Sequence, residues 1–399
     1  MRVLYASHRP PYPYFLGGAA RCAHRLLLSL AQDLGAQCRA VGSATYAVTS
    51  WSMPSVADHA ALGVQAVAGW PPGAALAPGA DAEIDCGYPV QVLSDFEHEL
   101  DRLLTEQRPD VVWAQLEGAR QVLGLARDHG VQGLLYVHDA EDDPAELRAA
   151  ADLGCHVVCS SAFLARKVEQ VIGRPAHVVY PASDWCFGTT GDPDGFVTMV
   201  NPHAVKGLDT FIELARRMPT QKFLLQESWK LDDAALATLQ DRLASLPQVK
   251  FQRRVSDMRQ VYARTRLLLV PSMWEEGFGM VVVEAQSCGI PVIASARGGL
   301  PESVGKGGWL IDDFRNVDAW EMALRRLLDD KMAYADGSAR ALAHARSDAF
   351  VPQQLARRFL HVCNAPPPRL GFAQRSLRTL KDRLRRVLPP VRRLHRTDR

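Results

Sequence analysis

Leu267-Leu268-Leu269-Val270-Pro271-Ser272-Met273-Trp274-Glu275-Glu276-Gly277-Phe278-Gly279-Met280-Val281-Val282-Val283-Glu284-Ala285 changes character twice along its length. An unbroken aliphatic run closes at Pro271, a loop with two glycines follows, and helical spacing takes over near Met280. An apolar run without alternation is what a parallel strand buried on both faces requires. Gly277 and Gly279 lack side chains, so a ligand can approach the free amides at the start of the helix. Glu276 in the loop and Glu284 about one turn into the helix add two carboxylates, which suit paired hydroxyls in fixed geometry. A glycine turn ahead of a helix with a solvated Glu is the plain alternative.

The same alternation repeats outward from this unit. Short aliphatic or β-branched runs occur at 3–7, 111–115, 133–138, 156–161 and 178–181, then at 196–200, 222–226, 249–253, 291–295 and 309–312. Between them, 21–34, 209–218, 232–246 and 281–288 carry helical spacing. The pattern predicts an α/β chain whose strands are joined by crossover helices. The runs are too many for one comfortable sheet, and their rhythm breaks where Gly188, Gly191, Pro193 and Gly195 cluster. We therefore expect two doubly wound domains over 1–185 and 195–345, then a C-terminal helix over 346–365 able to cross back to the first domain. Residues 46–90, rich in Ala, Gly and Pro, read as a meandering insertion, and Pro366-Pro367-Pro368 opens a tail over 366–399. Ligands of such sheets bind beyond the carboxyl ends of the strands, so two domains offer a cleft between them.

With 47% hydrophobic and 23% charged residues over 399, the composition is that of a globular chain and excludes a fibrous or mainly disordered one. No apolar run approaches the ~18 residues of a membrane span. Met1–Tyr5 leads into His8-Arg9-Pro10-Pro11, too broken for a secretory core, so a cytoplasmic location is expected. The eight cysteines lack CxxC spacing; Cys155 and Cys159 flank a strand and read as buried thiols rather than metal ligands or a disulfide. The net charge of +2 hides an asymmetry, because the stretch 369–399 carries eleven Lys/Arg against two Asp and leaves an acidic body.

Glu276 and Glu284, with seven residues between them, resemble the EX7E motif of retaining glycosyltransferases with the GT-B fold. The resemblance is closest to glycosyltransferase family 4, the glycosyl transferases group 1 proteins. It continues through Cys288–Ser295 and Gly298-Gly299-Leu300-Pro301-Glu302. Asn201-Pro202, Lys206-Gly207, the segment Phe251–Tyr262 and Gly17-Gly18-Ala19-Ala20-Arg21 also resemble family segments. It implies a GT-B fold of two Rossmann-like domains, an acceptor-side one first and a nucleotide-sugar-binding one second.

The resemblance also implies roles. Lys206 is the phosphate cation, helped by Gly18 and the amides of Gly277, Phe278, Gly279 and Met280. Glu284 holds ribose hydroxyls, Glu276 the hydroxyls of the donor sugar, and Arg254-Val255 the base. Asn201 stands in the donor set where the family usually has Arg, a departure that leaves a positive charge for Arg253 or Arg254 to supply. His138 closes a strand and orients acceptor or donor sugar, with Gly17 and Asp139 on the acceptor side; Ala20 replaces the family's usual Glu. The catalytic set is Glu276, Lys206 and His138, with no covalent nucleophile. No cofactor is implied beyond the nucleotide-diphosphate sugar substrate. No metal is implied either, despite the acids at Asp139 and 141–143 and the DxD look of Asp192-Pro193-Asp194. Only Gly17-Gly18 follows the first run, so a GxGxxG dinucleotide site is not expected.

The expected function is transfer of a hexose to a glycan or lipid-linked acceptor, in cell-envelope polysaccharide or glycolipid synthesis. A binding protein without turnover and a nucleotide-sugar 2-epimerase are the alternatives. In the tail, Leu377, Leu380, Leu384, Val387, Leu388 and Val391 fall at helical spacing among basic residues. Such a helix can lie on an anionic membrane, giving a peripheral location on its inner face. A solvated tail is the plain alternative, and nucleic acid is not an expected partner.

Overall fold

The computed structural model describes residues 1–15, 17–45, 81–140, 143–183, 186–366 and 368. The basic tail, most of the 46–90 insertion and the acids at 141 and 142 lie outside them. Among the described residues fourteen strands form two sheets. The first holds β1 (Arg2–Ser7), β2 (Gln37–Ser43), β3 (Ala82–Asp85), β4 (Pro89–Leu93), β5 (Val111–Gln115), β6 (Gln132–Val137), β7 (His156–Cys159) and β8 (His177–Val178), in the order β3-β4-β2-β1-β5-β6-β7-β8. The second holds β9 (Phe196–Val200), β10 (Phe223–Gln226), β11 (Val249–Gln252), β12 (Thr265–Val270), β13 (Val292–Ser295) and β14 (Gly308–Ile311), in the order β11-β10-β9-β12-β13-β14. Every pairing is parallel except β3 with β4.

The continuous apolar runs are explained by packing on both sheet faces. Val3 and Tyr5 enter one core with Leu26, Trp113, Tyr136 and Phe359, whereas Leu4 and Ala6 enter another with Leu100, Leu135 and Leu164. In the second sheet Leu267 and Leu269 pack with Phe211 and Trp320, and Leu268 and Val270 with Val282 and Leu300.

Three strands escape the apolar-run reading. β2 is interrupted by Gln37, Arg39 and Gly42, while β3 and β4 fall in the stretch read as a meander. They extend the first sheet at its edge, where Pro89 is tolerated as the first residue of its strand. The run 178–181 pairs only through His177–Val178. The helix Pro352–Asn364 packs on the helix Gly18–Gln32, and its Leu355, Phe359 and Val362 are buried in the first sheet's core. Phe359 lies 4.9 Å from Trp113 between ring centroids.

In each sheet the strand order reverses beside the first strand, between β1 and β5 and between β9 and β12. The carboxyl ends at these switch points face each other, and the loops leaving them enclose the cleft.

Candidate functional site

A cavity of about 600 Å³ occupies this cleft. From the first lobe its walls include Gly17, Gly18, His138 and Asp139; from the second, Asn201, Lys206, Arg254, Val255, Glu276, Gly277, Phe278, Gly279, Met280 and Glu284. The structure thus brings together every residue given a catalytic, donor or acceptor role from the sequence motifs. Arg253 is not part of the wall: its guanidinium reaches Glu227 Oε1 at 3.4 Å instead.

Two helix N-termini point at the cavity without side-chain caps. The helix Gly18–Gln32 starts at Gly17 with no acid in its first turn, and the helix Met280–Ser287 starts at Gly279, whose φ of 86° requires glycine. A Cβ on Gly18 would stand 3.3 Å from Met280 Sδ, so the two ends nearly touch. Unpaired amides and aligned dipoles make this a seat for an anion.

Lys206 ends a short turn after β9. Its ammonium donates to Glu276 Oε1 at 2.7 Å and Oε2 at 2.9 Å, and the Ser272 hydroxyl donates to Oε1 at 2.8 Å. The indoles of Trp229 and Trp274 each lie 4.5 Å from Nζ. With side chains only 11% and 13% exposed, Lys206 and Glu276 form a desolvated pair.

Asn201 adopts φ 65°, a left-handed conformation that Asn tolerates better than most side chains. Its Oδ1 accepts from the amides of Ser228 at 3.2 Å and Trp229 at 2.6 Å. The residue therefore fixes the turn that carries Trp229 over Lys206. Glu227, 2% exposed, ties the neighbouring loops together by accepting from the amides of Leu231 and Arg254 at 2.9 and 3.2 Å. Glu284 is buried and accepts from the Tyr262 hydroxyl at 2.8 Å.

Across the cleft, the His138 ring stacks on Tyr136 with centroids 4.3 Å apart, and its Nε2 meets Gln115 Oε1 at 2.9 Å. Burial pulls its pKa down to about 4, so the imidazole is neutral at pH 7. Loss of hydration raises the Asp139 carboxyl above its ordinary value, with Lys206 opposing the shift and Glu276 adding to it. A Cβ on Gly277 would lie 1.9 Å from the His138 carbonyl oxygen, so the two lobes meet there at backbone contact. Arg21 Nη2 donates to the Ser256 carbonyl at 2.7 Å, a second tie between the lobes.

Trp229, Glu227 and Gln115 are site residues that the motif reading missed. Trp229 and Glu227 follow the carboxyl end of β10, the strand edge where ligands of such sheets sit, and that position was the available signal. Among the described residues no three His, Cys, Asp or Glu side chains gather as a metal site would need. No helix among them is long and apolar enough to cross a membrane.

Known proteins resemble this chain in two ways. Residues 192–344 match the family described as Glycosyl transferases group 1. D-inositol 3-phosphate glycosyltransferase of Mycobacteroides abscessus is 35% identical over 161 residues, 37% of this chain and 34% of that protein. O-antigen chain mannosyltransferase B of Escherichia coli is 40% identical over 90 residues, 23% of each chain. This chain thus spans about a third or less of the length of these relatives. Among solved structures, Anabaena Alr3699/HepE in complex with UDP has a TM-score of 0.68 at 19% identity, over 90% of this chain and 99% of that one. Sucrose-phosphate synthase from Thermosynechococcus elongatus gives 0.67 at 15% identity, over 90% and 97%. The two facing parallel sheets are the GT-B fold of these glycosyltransferase structures, and the family match falls on residues 192–344, the lobe that carries Lys206, Glu276 and Glu284.

Proposed function

We propose that the protein is a retaining glycosyltransferase that moves a hexose from a nucleoside-diphosphate sugar to a hydroxyl of a glycan or lipid-linked acceptor. The observation that carries this reading is the Lys206–Glu276 pair, set where two uncapped helix N-termini converge and with Glu284 one turn deeper. As the bond between sugar and diphosphate breaks, negative charge collects on the phosphate. Lys206 and the amides near Gly18 and Phe278–Met280 are already aimed at that charge, so little reorganisation is needed. They supply the compensation that a divalent cation gives elsewhere, which supports a metal-independent reaction.

An incoming diphosphate competes with Glu276 for the Lys206 ammonium. The carboxylate so released becomes an acceptor for hydroxyls of the donor sugar. Glu284 is positioned by the Tyr262 hydroxyl and lines the cavity, where its carboxylate would meet the hydroxyls of the ribose. The acceptor hydroxyl enters from the side of His138 and Asp139, and the departing phosphate takes its proton. Retention of configuration rests on the family resemblance. No side chain is assigned as a covalent nucleophile.

HepE has been solved with UDP and with UDP-glucose, which makes UDP-glucose the first donor to try, followed by mannosyl donors. The test is nucleoside diphosphate release in EDTA with a panel of donors and oligosaccharide or polyprenyl-linked acceptors. The anomer of the product would be read by NMR. Turnover lost in Glu276→Gln with an α-linked product from an α-linked donor supports the reading. Tight donor binding without release for every acceptor, in well-folded protein, would overturn it in favour of a non-catalytic binder.

A further inference from the structure

Gln115 is 1% exposed at the end of β5, and its carboxamide has only one workable orientation. Nε2 lies 3.2 Å from the Ala19 carbonyl, which can only accept, so that atom must be the nitrogen and not the oxygen. Its second hydrogen reaches the Tyr5 hydroxyl at 3.0 Å. Oε1 is then the atom that faces His138 Nε2 at 2.9 Å, and a carbonyl oxygen can only accept. The proton of the neutral imidazole must therefore sit on Nε2.

We propose that Gln115 is a positioning residue that fixes His138 as the tautomer protonated at Nε2, leaving Nδ1 as the acceptor that His138 offers to a substrate hydroxyl. The proposal rests on the glycosyltransferase reading only for the identity of that hydroxyl. The Tyr136 ring, stacked beneath the imidazole, holds its plane, while the Tyr5 and Ala19 contacts hold the amide. His138 thus enters the reaction as a hydrogen-bond acceptor of fixed direction and not as a proton donor. The groups around this corner are Asp139 on the same loop, Arg9 and Glu117 from the loops after β1 and β5, and Lys206 and Glu276 from the facing lobe. The phenols of Tyr5 and Tyr136 lie on the strands beneath, both pushed up by burial and uncharged at pH 7.

The experiment uses full-length protein labelled with ¹⁵N at histidine, assigned by comparison with His138→Asn. In wild type the His138 resonances should show a protonated Nε2 and an unprotonated Nδ1. Gln115→Met should lose the fixed tautomer, and kcat should fall about tenfold with donor KM within about twofold. Gln115→Glu replaces the amide acceptor with a carboxylate, so the imidazolium is favoured and the acid limb of the kcat profile moves up by a pH unit or more. A wild-type spectrum protonated at Nδ1 would overturn the proposal, as would an unchanged tautomer in Gln115→Met together with an unmoved acid limb in Gln115→Glu. The nitrogen spectrum is read without substrate, so failure of the glycosyltransferase reading would leave that result intact. Calorimetric donor binding by the variants separates the two ideas further.

Discussion

The Glu302 carboxylate, on the short helix Leu300–Val304 of the second lobe, accepts from the backbone amides of Ala162 at 2.7 Å and Phe163 at 2.6 Å in the first. These are the opening residues of the helix Ala162–Ile172, and Ser161 Oγ takes the next amide, that of Leu164, at 3.0 Å. One lobe therefore caps a helix of the other, with Tyr180 reaching the same carboxylate at 3.2 Å. Lys167 and Glu275 add an ion pair at 2.7 Å along the same seam.

Removing this cap should favour opening. In Glu302→Ala, two helical amides lose their partner only when the lobes are together, a cost of about 1–2 kcal/mol against the closed state. The radius of gyration in solution scattering should rise, and donor KM should rise several-fold, while the thermal midpoint of each lobe changes little. Scattering curves that superimpose on wild type would refute the latch.

Gly277→Ala tests the contact at the other end of the cleft. The added methyl would press on the His138 carbonyl oxygen, which belongs to backbone and cannot swing aside. The variant should fold with a near-normal circular-dichroism melt yet lose at least about tenfold in turnover, because misplacement of about 1 Å suffices for such losses. Normal activity would mean that the catalytic state is more open than the structure described.

Lys206 and Glu276 should be energetically coupled. Removing one partner strands a nearly buried charge, so Lys206→Met or Glu276→Gln alone should destabilise by about 3 kcal/mol, and the double variant by less than the two together. Urea unfolding of the four proteins measures the coupling. Strict additivity would show that the pair contributes nothing in the empty cleft.

Acid sensitivity follows from two partly buried histidines. His24 stacks on Tyr12 at 4.2 Å, its Nδ1 meets Tyr88 Oη at 2.9 Å, and burial lowers its pKa to about 3; His138 stands at about 4. The unfolded chain binds these protons near pH 6.5 and the folded one does not, so folding stability should fall as pH drops from about 6.5 towards 4. Each residue contributes up to about 1.4 kcal/mol per pH unit. Denaturant midpoints for wild type and His24→Asn across that window give the slope. An equal slope in both would remove His24 from the account.

The second lobe was the more legible in sequence because its central strands β12 and β13 are buried on both faces and the helices Leu208–Arg217 and Met280–Ser287 start at Gly207 and Gly279, so period and punctuation agree there. β2 was hidden by Arg39, whose guanidinium is satisfied by Gln91 Oε1 at 2.8 Å, a partner many residues away. The cavity wall could be read because its residues lie in short loops at strand ends, where chemistry and backbone geometry are local. Asn201 could not: in sequence it is a missing cation, and only the fold shows its side chain holding the turn under Trp229. Glu302 and Gln115 act on partners in distant segments, and no spacing rule reports such pairs.

Leu355 and Phe359 are fully buried against the first sheet, yet they are made after the whole of the second. A ribosome releases the chain in order, so β1 to β8 emerge without the helix that seals one face of their sheet. Until residues 352–364 clear the exit tunnel, Trp113 and Leu26 lack part of their final packing. The later-made lobe can complete its own core while the earlier one waits. In living cells the nascent first half is therefore the portion most in need of chaperone cover, and an early stop before residue 352 harms the end of the protein that was synthesised first.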